Sequence, residues 1–379
     1  MNYKEIRNII NNFSVNPKNK QMIHDSVISP LFPGTFNYCL NEVFLYEKYH
    51  SYLDIPDPVF FTKIQPAIRD SDFVEFYLKK GNGDRTHLVS FDIATISGGK
   101  IDKRENYHEF LRDSVNSTYK LLTEYLKLEP ENIFVTYFGG CSVKDVGRSK
   151  FYFDFFIPED SVSKKFFIEA GIPEKNISPI DNRDNFLMIN FTIGVGPWGY
   201  RNEIFYKMPN GFLLDVATIE HLLWRPIIDH EKNQVIGLVD WENCFVIDGF
   251  GVERTLMAVN KLDYIQQCGN IFPLFSKIQE ISKGDYNHTR IITECIRVVH
   301  RVFTDADTGW KSLSQSRRER IKRFMNLILD LSEENLRELF TINAELYKDF
   351  YPELEKGIDL ALKEVVDYKN RLIKHGVKI

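Results

Sequence analysis

The chain has 379 residues and no apolar run near the roughly 20 residues that a membrane span needs. Its opening, MNYKEIRNIINNF, lacks the apolar stretch and small-residue cleavage site of a secretory signal. These two absences point to a soluble, cytoplasmic protein. Cysteine is scarce: Cys39, Cys141, Cys244, Cys268 and Cys295 are odd in number and form no C-x-x-C pair, which argues against a disulfide framework or a zinc knuckle. Histidine is thin in the last third, where His375 is the next after His300, so clustered metal ligands are not expected there. Charge of one sign does not dominate. Lys and Arg number 48 against 53 Asp and Glu, a net charge of -5 that excludes a globally basic nucleic-acid coat but permits a local basic face. Repeats and low-complexity tracts are also missing. What remains is 43% hydrophobic and 27% charged, the balance of a chain that packs a core as one large or two ordinary domains.

Two zones differ in texture. Up to about residue 255, short β-branched and aromatic runs alternate with Gly, Pro and Asn turns. Strands are expected at Val59 to Ile68, Leu88 to Ile96, Ile133 to Phe138, Phe151 to Ile157, Glu203 to Lys207, Phe212 to Ile219 and about Cys244 to Ile247, with one amphipathic helix over 104–128. The first two strands read as a hairpin with a polar loop around Lys79 to Arg85, and Asn210-Gly211 marks another hairpin. Beyond 255 the periodicity is helical, near 288–304, 314–330, 332–348 and 352–375. Strands first and helices afterwards predict an α+β domain over 1–255 and an all-α domain over 256–379.

Three stretches carry chemistry. Arg69 ends one strand of the first hairpin, and His87 to Phe91 opens the other with the spacing H-x-x-x-F, which puts both side chains on one strand face. An Arg fork binds a phosphate bidentately, a His donates to phosphate oxygen, and a Phe face stacks on a base. Taken alone, the same residues also read as a surface Arg, a satisfied His and a core Phe. Next, Asp248-Gly249-Phe250-Gly251-Val252-Glu253-Arg254 ends a strand and begins a helix. Its glycines let backbone pass close to a ligand, and Arg254 can reach a phosphate; a plain Gly-rich turn with a structural ion pair has the same look. Third, Gly194 to Ile204 forms a Gly/Pro-rich loop that delivers Glu203 to a strand, with Asp215 on its hairpin partner. Two carboxylates in one cleft suit Mg²⁺, which takes one or two carboxylates plus substrate phosphates; two solvated acids are the plainer reading.

In this order the stretches resemble motifs 2 and 3 of class II aminoacyl-tRNA synthetases, and more closely the catalytic region of alanyl-tRNA synthetases. Glu5-Ile6-Arg7, His24 and Ser29 to Pro33 are similar to that family's opening. Gln65 to Arg69 looks like its Q-x-C-x-R, His87 to Ile93 like HHTFFEM, and Gly196 to Ile204 like GPCGPCSEI in unbroken register. Thr293 to Arg297, followed by Arg317 to Arg323, looks like its DHIR step and Arg-rich helix. The resemblance covers about residues 5 to 330.

The resemblance implies a six-stranded antiparallel catalytic sheet flanked by helices, with ATP bound bent and with Mg²⁺. It implies that Arg69 holds the α-phosphate, that His87 meets the distal phosphates, and that Phe91 and Arg254 sandwich the adenine. Asp92, replacing the family's Glu, would serve the adenine or metal region, and Glu203 and Asp215 the metal. The amino-acid pocket would be built from Asp248, Gly249, Gly251, Ala217, Thr218 and Trp198. It departs from the alanine pattern: Ile247 stands where the family's ammonium-binding Asp stands, and Ala217 replaces a Trp, which enlarges the pocket wall unless Trp198 refills it, so a different or larger amino acid is expected. Nothing resembles the editing domain, the zinc-site pattern or the C-terminal oligomerisation region, as in a shortened paralogue. Residues 256–379 resemble the start of the tRNA-recognition domain, with Arg317, Arg318, Arg320 and Arg323 toward acceptor-stem phosphates. The implied activity is adenylation of an amino acid and its transfer to tRNA. Alternatives are an activating ligase that loads a carrier protein or small-molecule acceptor, and a non-catalytic tRNA-binding paralogue.

Overall fold

The computed structural model describes residues 1–13, 20–21, 26–28, 36, 59–79, 84–101, 104–142, 155–181, 185–191, 194–232 and 234–377. His24, Ser29 to Pro33, the loop tip 80–83 and most of the strand expected over Phe151 to Ile157 lie outside them.

The centre of the molecule is a long, mostly antiparallel sheet. Its strands are β1 (Val59–Ile68), β2 (Ser90–Ile101), β3 (Ile133–Phe138), β4 (Ile177–Ile180), β5 (Phe186–Phe191), β6 (Gly194–Lys207), β7 (Leu213–Asp229) and β8 (Gln234–Gly251). The spatial order β1-β2-β8-β7-β6-β3 gives the six antiparallel strands expected. The short strand Lys20–Gln21 pairs parallel to β1, β4 pairs parallel to β3, and β5 adds to β6. Strands β6, β7 and β8 run much longer than the sequence suggested, because Arg201, Glu203, Thr218 and Glu220 interrupt the apolar pattern on one face only. The other face carries Tyr200, Asn202, Ile204 and Tyr206, all buried; helix α2 (Tyr107–Lys120) packs against β2, β7 and β8, and α3 (Ser161–Ala170) packs against α2. Helix α2 widens to a π turn at Leu121–Tyr125, within the helix expected over 104–128.

Helix α1 (Tyr3–Asn12) starts on a capping box in which the Asn2 side chain and Glu5 bond reciprocally. It packs on α4 (Val252–Val259), the helix opened by Gly251, so residue 255 falls inside an element. Beyond it lie α5 (Phe272–Ser282), α6 (Tyr286–Asp305), α7 (Gln315–Met325), α8 (Glu333–Tyr347) and α9 (Glu353–Lys374). Ser332 caps α8 as its sequence position predicts, accepting from the Asn335 N–H at 3.1 Å. Helix α6 is buried nearly all round, from Thr289 to Phe303, with α5, α7, α8 and α9 against it. Its apolar cluster takes in Ile68, Phe73, Tyr77 and Val89 from the β1–β2 hairpin, so the helical region and the hairpin share one core. No helix among the described residues is long and apolar enough to cross a membrane.

Candidate active site

A cavity of about 180 Å³ opens on the face of the sheet away from α2. Its wall combines residues almost 190 positions apart: Arg69 and Asp72 after β1, Phe91 and Ile93 on β2, and Gly249, Gly251, Glu253 and Arg254 where β8 turns into α4. Strands β6 and β7 supply Arg201, Glu203, Asp215, Ala217, Thr218 and Glu220.

The two guanidinium groups of the sequence reading therefore meet in one cavity, each beside an acid. The Arg69 N–H bonds to the Val89 carbonyl at 2.9 Å, which pins the end of β1 to the start of β2. Its Nε lies 3.5 Å from Asp72 Oδ1. Burial pushes the Asp72 carboxyl up, against the opposing pull of Arg69, His87 and Arg254. Arg254 Nη1 donates to Asp215 Oδ2 at 2.5 Å across the α4–β7 contact. Phe91 lies on the cavity side of β2, as expected.

His87 takes a different place. It precedes β2, which begins only at Ser90, so strand alternation does not govern its direction. Its Nδ1 sits 2.5 Å from Asp84 Oδ2, and Thr86 and Leu88 rather than His87 line the cavity. Burial pushes Asp84 up, but the hydrogen bond and charge of His87 outweigh it and hold the carboxyl well below the usual range. Asp92 leaves the expected set altogether. One residue beyond Phe91, it faces the opposite side, where its carboxylate is buried among Arg7, Tyr3 and Tyr351, the last at 2.8 Å.

Of the expected amino-acid pocket, Ala217, Thr218, Asp248, Gly249 and Gly251 line the cavity and Trp198 does not. The Asp248 carboxylate points to the far face, where Oδ1 accepts the Ile96 and Ser97 N–H groups at 2.9 Å each. These donors belong to the irregularity in the β2–β8 ladder between Ile247 and Phe250, and burial pushes Asp248 up to about 7. Trp198 is also on the far face, 1% exposed and edge-on to Phe186, so it does not refill the space beside Ala217.

The acids Glu203 and Asp215 share the cavity. Burial first, and then the Asp215 charge, pushes Glu203 up to about 8. Among the described residues no group of three or more His, Cys, Asp or Glu side chains is placed to hold a metal ion. Of the two expected metal carboxylates, Asp215 is engaged by Arg254 at 2.5 Å. Sequence reasoning missed Asp72, Arg201 and Glu220. Arg201 lies two residues before Glu203 on β6, so strand periodicity alone was a signal for it; its partner Glu220, 2.8 Å from Nη2, comes from the neighbouring strand and carries none.

The basic run on α7 is largely spent inside the molecule. Arg317 is buried, Arg318 donates to the Trp310 and Lys311 carbonyls at 3.0 and 3.3 Å, and Arg320 pairs with Asp70 at 2.5 Å. Arg323 is exposed.

No family model matches the chain. Alanine–tRNA ligase of Prochlorococcus marinus (strain MIT 9301) is 25% identical over 275 residues, covering 68% of this chain and 28% of that protein. Alanine–tRNA ligase of Candida albicans is 23% identical over 360 residues, covering 82% and 34%. The chain thus spans about a third of the length of these relatives. Among solved structures, apo histidyl-tRNA synthetase of S. aureus matches with a TM-score of 0.37 at 11% identity over 69% of this chain and 68% of that one. The chain is therefore similar in sequence to alanine–tRNA ligases over 68–82% of its length.

Proposed function

We propose that the chain activates an amino acid with ATP and passes the aminoacyl group to tRNA. One observation carries this reading: Arg69 and Arg254, from distant segments, line one cavity with Phe91 between their strands. Adenine stacks between the Phe91 ring and the Arg254 guanidinium, an arrangement in which cation–π attraction contributes about 0.5–2 kcal/mol. Asp215 holds the Arg254 plane in place. Arg69 exchanges Asp72 for the α-phosphate, trading one anionic partner for a better fork-shaped fit. The substrate carboxylate oxygen attacks the α-phosphorus, its bond to pyrophosphate breaks, and an aminoacyl-adenylate and pyrophosphate result. Protein nucleophiles are not required. The chain's part is positioning and neutralisation of the charge that builds on phosphate. Mg²⁺ enters bound to the triphosphate, as substrate MgATP. His87 reaches the distal phosphates only if its ring leaves Asp84.

Transfer to tRNA rests on the sequence similarity to alanine–tRNA ligases. The internal pairing of Arg317, Arg318 and Arg320 leaves Arg323 as the expected acceptor-stem contact on α7, and it favours including a carrier protein or small-molecule acceptor in the assay. Amino-acid-dependent exchange of labelled pyrophosphate into ATP, run over the standard amino acids, tests activation. Exchange with at least one is expected, and none with any of them refutes the proposal. Trapping of the activated product on tRNA or on another acceptor then identifies the acceptor.

A further inference from the structure

The sheet register lays the cavity face out in two rows. Glu203 lies opposite Thr218, and Thr218 opposite Gly249. One step along, Arg201 lies opposite Glu220, and Glu220 opposite Ile247. All six line the cavity, and so does Asp248, although its carboxylate is turned away to the Ile96 and Ser97 N–H groups; Asn202 and Ile219 do not line it.

Among the described residues, each of the cavity's three arginines has an acid beside it, and three further acids remain: Glu203, Glu253 and Asp248, the last held by the Ile96 and Ser97 N–H groups. Arg254 has Asp215 at 2.5 Å, Arg201 has Glu220 at 2.8 Å, and Arg69 has Asp72 at 3.5 Å. Glu253 is committed at its own end, to the Asp92 N–H at 3.0 Å and Asn270 at 3.2 Å. Glu203 has Arg201 Nε at 3.7 Å, beyond hydrogen-bond reach, and that Nε already donates to Glu220 at 2.9 Å. The cross-strand neighbour of Glu203 is Thr218, whose Oγ1 is buried and has no hydrogen-bond partner among the described residues. A carboxylate without a committed cation thus stands beside an unsatisfied hydroxyl, and the next position in the row, Gly249, has no side chain to fill the space. Buried groups of this kind cost stability unless a partner arrives. An amino-acid substrate brings one, because its ammonium carries three N–H donors, or two in proline. Neither Ile247 nor the turned-away Asp248 can receive it.

We propose that Glu203 and Thr218 form the subsite for the substrate ammonium. This inference rests on the amino-acid activation reading above. The Glu203 carboxylate takes one N–H and the ionic attraction, Thr218 Oγ1 takes a second N–H, and the ammonium is set over Gly249 with the carboxylate free to turn to the α-phosphate.

The test uses MgATP–pyrophosphate exchange with the standard amino acids, on the full chain and on Glu203→Gln and Thr218→Val. Loss of a charged hydrogen bond is expected to raise KM for the accepted amino acid about tenfold to a hundredfold in Glu203→Gln, and about twofold to tenfold in Thr218→Val. Calorimetric Kd for MgATP alone stays unchanged in both. The α-hydroxy analogue of the accepted amino acid, which lacks the ammonium, inhibits the wild type far more weakly than the amino acid binds, and that gap closes by about tenfold in Glu203→Gln. Thr218→Val is isosteric and keeps the test available if Glu203→Gln does not fold. An unchanged amino-acid KM in both variants, or a loss in Glu203→Gln that appears in MgATP affinity or Mg²⁺ requirement instead, overturns the subsite while wild-type exchange still supports activation. Absence of exchange in the wild type overturns the activation reading and the subsite with it.

Discussion

Replacing Arg297 by Met should cost the fold about 3–5 kcal/mol, the loss expected when one partner of a buried ion pair is removed. Arg297 is 4% exposed on α6 and sits at the joint between the sheet and the helical region. Its Nη1 donates to Glu294 at 2.5 Å, its Nη2 donates to the Tyr347 hydroxyl at 3.0 Å, and Nη2 lies 3.9 Å from Glu253. Those two acids in turn hold the cavity strand. Glu294 accepts the Val89 and Ser90 N–H groups at 2.6 and 3.0 Å, and Glu253 accepts the Asp92 N–H at 3.0 Å. Without the guanidinium, two fully buried carboxylates lose their main cation just where β2 presents Phe91. Burial already pushes Glu253 up to about 7 with Arg297 in place. An acid whose folded pKa lies above its unfolded value binds protons on folding, so its penalty is absent at low pH and grows as pH rises through the folded value. The defect in Arg297→Met should therefore be larger at about pH 8 than at about pH 5.5. Urea unfolding followed by tryptophan fluorescence at both pH values measures it, with Arg297→Lys as the charge-retaining control. A loss below about 1 kcal/mol at the higher pH, or one equal at both, would refute the reasoning.

Asp248→Asn should flatten the pH dependence of stability: burial holds the wild-type carboxyl up at about 7, so the wild type loses stability as pH rises toward that value, and unfolding curves across the range should show the slope shrink in the variant. Gly199→Ala should lower stability by about 2–3 kcal/mol or more, read by thermal melting, because the added carbon would lie 1.9 Å from the His221 carbonyl oxygen and 2.6 Å from Leu222 Cα on the paired strand. Arg323→Glu should leave pyrophosphate exchange unchanged and weaken tRNA charging, more so at low salt, since an exposed phosphate contact acts through screened charge.

The elements that position the cavity were legible in the sequence where local pattern suffices. The hairpin ending at Arg69, the turn from β8 into α4 at Gly251 and the four last helices follow from periodicity, caps and turn residues. The side of the sheet that each residue takes was legible only in part. Phe91 and Asp92 are neighbours, and alternation alone says that one of them leaves the cavity; which one depends on pairing with β1 and β8. Trp198 leaves the expected pocket, and Asp248 stays in the cavity wall with its carboxylate turned away, both beside irregularities that shift the ladder register. Counterions are harder still. Asp72 follows Arg69 by three residues, but Glu220 meets Arg201 and Asp70 meets Arg320 only through tertiary packing. A basic run such as Arg317 to Arg323 therefore reads as a free surface in sequence while three of its arginines are occupied in the fold.

A crystal structure of the chain with MgATP tests the central claim most directly. The account predicts the purine between Phe91 and Arg254, with the α-phosphate on Arg69 and Asp72 displaced from that guanidinium. A nucleotide bound elsewhere, or bound here with Arg69 still on Asp72 and no contact to Arg254, would contradict it.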